Sequence, residues 1–234
     1  MTTESANVPR HILIIPDGNR RWAKKRNELP YLGHFAGAEA AKEIMKKALE
    51  LRLPALTLWC ASVENLEKRP ALELKFLFKV FEEYFTNLSK EPTLAKYGVR
   101  IRIFGRLKLL PESVQKALHA CVEATKNHSN HSLTFLLGYS GKDEMRSAIQ
   151  EIVHNSPQNI TEEIIKESLW TRELPPVDLV IRTGGEPHLS TGVMMWDIAD
   201  AHFYFTETLW PEFSPEEFKR AIEQYAKAGK RRGA

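Results

Sequence analysis

A chain of 234 residues with 43% hydrophobic and 27% charged side chains can build one globular core and is too apolar for a disordered chain. Its 33 Lys and Arg are dispersed among 30 Asp and Glu, leaving a net charge of +3. No basic stripe for nucleic acid results, and small anionic ligands held by a few converging arginines fit better. Cys60 and Cys121 are too few for a disulfide framework or a zinc cluster, which predicts a reducing, cytoplasmic compartment.

Residues 1–10 are polar and lack the apolar core of a signal peptide, so they read as a flexible segment ahead of one domain over 11–234. No run approaches the ~18 apolar residues of a membrane span, which leaves at most peripheral membrane contact. His11-Ile12-Leu13-Ile14-Ile15 predicts a first buried strand, ending at Pro16-Asp17-Gly18-Asn19. Ile44, Met45, Ala48 and Leu49 carry helical spacing within a stretch from about 36 to 51, and residues 55–61 predict a second buried strand after Pro54. Pro70 suits the first turn of a helix running to about Leu88. Residues 99–104 alternate polar and apolar as a strand with one wetter face. A helix over 111–126, a strand over 132–137, and helices near 142–154 and 161–169 lead to Val177-Asp178-Leu179-Val180-Ile181, the clearest late strand. Ser214-Pro215-Glu216-Glu217 opens a last helix with Ser at the N-cap and Pro at N1.

Strand–helix alternation with nearly continuous apolar strands predicts an α/β fold: a single domain with a mostly parallel central sheet of about six strands, flanked by helices. Ligands of such sheets bind at the carboxyl ends of the strands. The unusual residues cluster there. Asp17-Gly18-Asn19-Arg20-Arg21-Trp22 follows the first strand; Gly18 permits a turn with positive φ, Arg20 and Arg21 offer forked phosphate donors, and Asp17 is a natural Mg²⁺ ligand beside phosphate oxygens. Taken alone, Asp-Gly-Asn is also ordinary turn chemistry. The company it keeps decides: Gly33-His34-Phe35-Ala36-Gly37, Ser62-Val63-Glu64-Asn65 and Arg69, Arg182-Thr183-Gly184-Gly185-Glu186, and Leu209-Trp210-Pro211-Glu212-Phe213.

These motifs, in this order from His11 to the C-terminus, resemble the cis-prenyltransferases, the undecaprenyl diphosphate synthases and their relatives. The resemblance implies a transferase that condenses isopentenyl diphosphate with an allylic diphosphate such as farnesyl diphosphate, using Mg²⁺, to make a cis-polyprenyl diphosphate of the carrier-lipid type in a hydrophobic product tunnel. It implies that Asp17 holds Mg²⁺, that Gly18, Asn19, Arg20, Arg21 and His34 cradle the allylic diphosphate, that Trp22 and Glu64 order the loop over it, and that Ser62 and Arg69 bind substrate. Asn65 matches the residue that helps deprotonate isopentenyl diphosphate; a neutral amide is a poor base, so orientation is expected of it. Arg182, His188 and Ser190 would hold isopentenyl diphosphate, and Phe76, Leu77, Val80, Phe81, Tyr84 and Phe85 would wall the tunnel. The Arg231-Arg232-Gly233 tail implies a homodimer.

Four departures bear on the second substrate. His188 stands where the family has arginine, His202 where it has a second metal-linked carboxylate, Pro30 where it often has arginine, and the segment after Asn65 is one residue longer, with Leu66 in place of an aromatic. His202 becomes the second metal candidate, with Asp197 and Asp200 as nearby substitutes. A non-catalytic partner subunit of a heteromeric prenyltransferase, or a short-chain synthase of different regiochemistry, are the alternatives; an intact Asp17 loop disfavours the first.

Overall fold

The computed structural model describes residues 8–229. β1, His11–Ile15, is buried along its whole length, as a strand covered on both faces must be. Its side chains divide by the two-residue period: Ile12 and Ile14 enter one core, Leu13 and Ile15 the other. β1 leads to α1 (Asn19–Lys25) and α2 (Pro30–Glu50). Next come β2 (Ala55–Ala61), α3 (Val63–Lys68), α4 (Ala71–Leu88), α5 (Pro92–Tyr97) and β3 (Val99–Phe104). The chain continues through α6 (Glu112–Thr125), β4 (His131–Leu137), α7 (Gly141–Asn155) and α8 (Glu162–Ser168). It closes with β5 (Leu179–Arg182), β6 (His202–Phe205) and α9 (Pro215–Gly229).

The six strands run in the order β3-β4-β2-β1-β5-β6, and every pairing is parallel. The expected sheet is therefore present and wholly parallel. β6 is the strand that no apolar run announced. It has four residues, His-Phe-Tyr-Phe, and lies on the sheet edge, where one side needs no partner. The larger core lies between the sheet and α2, α4, α6 and α9; the smaller takes Tyr139, Leu174, Val193 and Ile198 on the opposite face. Filling both with whole Ile, Leu and Phe side chains, each worth roughly 1.5–3 kcal/mol on burial, holds the strand ends in fixed register.

One expected boundary moves. α2 begins at Pro30, six residues before the expected start at 36, because proline supplies the fixed φ that suits a first helical position. This puts Gly33 and Gly37 inside the helix rather than at its start. A β-carbon on Gly33 would lie 2.0 Å from the Asn19 carbonyl oxygen, so Gly33 serves the close approach of α1 to α2. The Gly37 carbonyl meanwhile accepts the Trp210 indole N–H at 2.8 Å. No helix among the described residues is long and apolar enough to cross a membrane. Residues 1–7 and the Arg231-Arg232-Gly233 tail lie outside the described residues.

Candidate active site

Asp17 sits two residues past the end of β1, and its carbonyl oxygen gathers the other motifs. It accepts the Thr183 hydroxyl at 2.7 Å and the Trp210 backbone N–H at 3.0 Å. Segments 166 and 193 positions away are thus fastened to one peptide group. Gly18, at φ +111°, makes the turn into α1, and a β-carbon there would press on Leu209 at 2.8 Å. The Asp17 carboxylate points the other way, into a cleft of about 790 Å³. Its Oδ2 meets Arg182 Nη2 at 3.0 Å and Arg21 Nη2 at 3.3 Å.

Twelve of the expected site residues line that cleft: Asp17, Gly18, Asn19, Arg20, Arg21, His34, Ser62, Glu64, Asn65, Arg69, Arg182 and Ser190. Arg182 is buried and does most of the joining. Its Nη1 donates to the Ser190 hydroxyl at 3.1 Å and to the His188 carbonyl, while its Nε is buried without a partner. Thr191 Oγ1, also lining the cleft, is likewise buried and unpaired. Polar groups left so are costly unless something completes them, and a bound anion would complete Arg182 Nε. Thr191 was missed in the sequence because nothing in its local pattern separates it from a loop residue.

Ser62 and Asn65 have a second duty. The Ser62 hydroxyl accepts the Asn65 backbone N–H at 3.0 Å and Asn65 Oδ1 accepts the Ser62 N–H at 3.4 Å, a capping box that starts α3. Asn65 Oδ1 also takes Arg69 Nη2 at 3.4 Å. Its oxygen already accepts from both, which leaves the amide N–H groups for a ligand. Arg69, directly after α3, lines the cleft.

Below these lies Glu73, a carboxylate only 7% exposed, which the sequence reading passed over. Its Oε1 stands 3.2 Å from His34 Nε2, 3.5 Å from Arg20 Nε and 3.6 Å from Arg69 Nη1. The signal was available: Glu73 shares the apolar face of α4 with Leu77 and Val80. His34 Nε2 also faces Arg69 Nη1 at 3.2 Å, and one nitrogen cannot both donate to Glu73 and accept from Arg69. Burial, then the Arg69 charge, lowers His34 to about 4, so the ring is neutral near pH 7. Because the folded value lies below the ordinary 6.5, the unfolded chain binds more protons between those values. The His34 contribution to stability is therefore full above pH 6.5 and is lost as pH falls toward 4. Over that window the melting temperature of His34→Gln should fall less steeply than that of the parent; equal slopes in a differential-scanning series would place the titration elsewhere.

Three expected residues stand off the cleft wall. Trp22 turns its ring under the Arg26 guanidinium, 4.1 Å from the ring centre, and so braces α1. The His188 side chain is exposed, with Nδ1 3.7 Å from Glu186 and Nε2 3.5 Å from the Ser190 hydroxyl, while its carbonyl accepts from Arg182. His202 is the larger correction. It opens β6 paired with Leu179, whereas Arg182 at the cleft pairs with Phe205, three residues on. At ~3.3 Å per residue along a strand and ~4.8 Å between strands, His202 lies well over 10 Å from Asp17. Within one chain a single metal ion cannot touch both. Asp197 is no substitute, being buried against Lys166 Nζ at 2.5 Å. Among the described residues no cluster of three or more His, Cys, Asp or Glu is placed to hold a metal ion.

A parallel α/β sheet with an arginine-rich cleft at its strand ends, floored by apolar cavities, defines a class of protein built to hold polyanionic head groups with apolar tails. Residues 15–233 match the family model described as "Putative undecaprenyl diphosphate synthase". A tritrans,polycis-undecaprenyl-diphosphate synthase (geranylgeranyl-diphosphate specific) of Thermococcus kodakarensis is 38% identical over 98% of this chain and 89% of its own length. An isoprenyl transferase of Aquifex pyrophilus is 37% identical over 98% of this chain and 97% of its own. The crystal structure of lavandulyl diphosphate synthase from Lavandula x intermedia, in complex with dimethylallyl diphosphate, superposes with a TM-score of 0.88 at 28% identity, covering 94% of this chain and 95% of that one. The chain belongs to the cis-prenyl diphosphate synthase family.

Proposed function

We propose that the protein condenses isopentenyl diphosphate with an allylic diphosphate such as farnesyl diphosphate, as a Mg²⁺-dependent cis-prenyltransferase of the carrier-lipid type. The observation that carries this is the Asp17 cluster: a part-exposed carboxylate held by Arg21 and Arg182, with the buried, unpaired Arg182 Nε beside it. In the reaction the allylic C–O bond breaks and its electron pair leaves with the diphosphate. The isopentenyl double bond supplies the pair for the new C–C bond, and a proton then passes from the adjacent carbon to the released diphosphate. Arg20 and Arg21 meet the leaving group where its charge grows, which is where fixed cations accelerate most. Arg182 and Ser190 hold the second diphosphate, and Asn65 orients it. Asp17 is an exposed hard oxygen ligand whose Oδ1 neither arginine engages, so it fits Mg²⁺ bound through one carboxylate and substrate phosphate oxygens. That ion would neutralise the departing diphosphate. Such a set has no use in a non-catalytic subunit.

A tunnel reading rests on two further cavities. One of about 80 Å³ descends from Asn19 and His34 between Cys60, Leu77, Phe81 and Tyr84. Another of about 310 Å³ lies among Met45, Leu49, Leu56, Leu88 and Leu133, and Tyr84 lines both. The Tyr84 ring stands between them, with its hydroxyl donating to Met45 Sδ at 3.4 Å. The upper space is smaller than the ~150 Å³ that admits benzene, so a growing chain reaches Tyr84 early. Tyr84→Ala should join the cavities and shift products to longer chains, with Tyr84→Phe unchanged; chromatography of dephosphorylated products reads the difference. Phe76 stacks on Tyr31 at 3.9 Å and lines neither cavity.

A homodimer accounts for the exposed, mutually stacked Phe203 and Phe205 on edge strand β6, whose ring centres are 5.9 Å apart. An uncovered apolar edge invites association. Phe203→Glu should lower the mass measured by light scattering from two chains to one. Unpaired Cys60 and Cys121, both pushed up to about 12 by burial, agree with a reducing, cytoplasmic compartment. Incubating the purified protein with Mg²⁺, labelled isopentenyl diphosphate, and farnesyl or geranylgeranyl diphosphate tests the assignment. No elongated product from the protein alone overturns it.

A further inference from the structure

Ser190 and Thr191 reach the cleft on a backbone that L-residues rarely adopt: φ is +51° at Thr191, +63° at Gly192 and +46° at Met194. Such a run persists only where its surroundings impose it. Two contacts do so from the start of α7. A β-carbon on Gly141 would lie 1.7 Å from the Gly192 carbonyl oxygen, so the two backbones are pressed together, and the Thr191 carbonyl accepts Lys142 N–H at 3.4 Å. The third is a buried polar chain. Met194 N–H donates to the Tyr139 hydroxyl at 3.2 Å, and that hydroxyl donates to Glu144 Oε2. Glu144 Oε1 accepts Thr171 N–H at 2.9 Å, the Thr171 hydroxyl stands 3.1 Å from Asp197 Oδ2, and Asp197 Oδ1 takes Lys166 Nζ. The chain thus begins on residue 194 and returns to residue 197, gripping the strained segment at both places. Tyr139, Glu144, Thr171 and Asp197 are each no more than 4% exposed, and none lines the cleft.

We propose that Glu144, acting through Tyr139, is a positioning residue for the Ser190–Thr191 half of the cleft, and so for the binding of isopentenyl diphosphate rather than of the allylic substrate. This rests on the function proposed above. The Asp17, Arg20 and Arg21 half hangs from β1 and α1 and has no hydrogen bond to this network, so the two substrates should respond differently when the grip is loosened. A role in stability alone would show no such preference.

Tyr139→Phe deletes one oxygen and keeps the ring that packs edge-on against Trp170, 6.0 Å between centres. It should raise KM for isopentenyl diphosphate about 10-fold, the scale of one lost buried hydrogen bond, with the allylic KM within about twofold. Glu144→Gln should move the same KM, because its amide cannot accept from both Tyr139 and Thr171. Hydrogen exchange at the Met194 amide should quicken at least about 10-fold in both variants, a readout independent of turnover. An unmoved isopentenyl KM, KM values that rise together, or a Met194 amide as protected as in the parent overturns the proposal. A parent protein that condenses nothing overturns the functional assignment, and the substrate preference with it; unchanged exchange overturns the grip alone.

Discussion

Asp17→Ala should lower turnover by roughly 10²–10³ while leaving KM for the allylic diphosphate within a few-fold of the parent. The two effects separate because Asp17 plays opposite roles in them. In the unliganded cleft its carboxylate neutralises Arg21 and Arg182; removing it frees both arginines for the incoming phosphates and removes a like charge. Ground-state binding thus loses little. The step in which the diphosphate leaves loses the carboxylate that would hold its counter-ion in place, so the deficit falls on kcat. Asp17→Asn keeps the shape and should be almost as slow, which assigns the loss to charge. Arg182 retains the Ser190 hydroxyl and the His188 carbonyl, so the variant should fold. Initial rates of isopentenyl incorporation provide the measurement, and a variant within tenfold of the parent would move the leaving-group chemistry away from Asp17.

Glu73→Ala carries the largest expected loss of stability. Its carboxylate is the common acidic partner of Arg69, His34 and Arg20 beneath the cleft, and two of those three are themselves well buried. Removing one member of a buried ionic group costs roughly 3–5 kcal/mol, because the remaining charge keeps its desolvation penalty without compensation. Arg20 is more than half exposed and can turn to water, which places the estimate toward ~3 kcal/mol. For a chain of this size that is a fall of roughly 6–12 °C in melting temperature, read by circular dichroism. Glu73→Gln should lose less, since its amide oxygen still accepts from Arg69. A loss below ~1 kcal/mol would show that solvent reaches the cluster. Activity should fall in both variants, since His34 and Arg69 line the cleft.

Much of this arrangement could be read from the chain. The fully apolar run 11–15 required a strand covered on both faces, and Pro70 and Pro215 marked helix starts by their own backbone chemistry. Strand-end clusters announced the Asp17 loop, the 62–65 segment and the 181–186 segment as neighbours before any coordinates. Glu73 was legible in principle, as a carboxylate on an apolar helix face. β6 was not, because four edge residues carry too little periodicity to stand out. Gly33 and Gly37 read only as a helix start, since sequence shows that a glycine is required but not that Asn19 crowds it.

Local physics explains what the sequence determined by itself: which segments are extended or helical, which faces are apolar, and which polar residues terminate each strand. Neighbours within a few residues settle these. Tertiary structure alone decided who meets whom across the sheet. Arg182 reaches Asp17 because β1 and β5 lie side by side, and His202 does not because it enters β6 at the opposite end of the same strand pair. Asp17 and His202, the pair that suggested a shared metal ion, sit at opposite ends of the parallel strands on either side of β5. Contacts of that kind depend on strand order and register, which local periodicity does not encode.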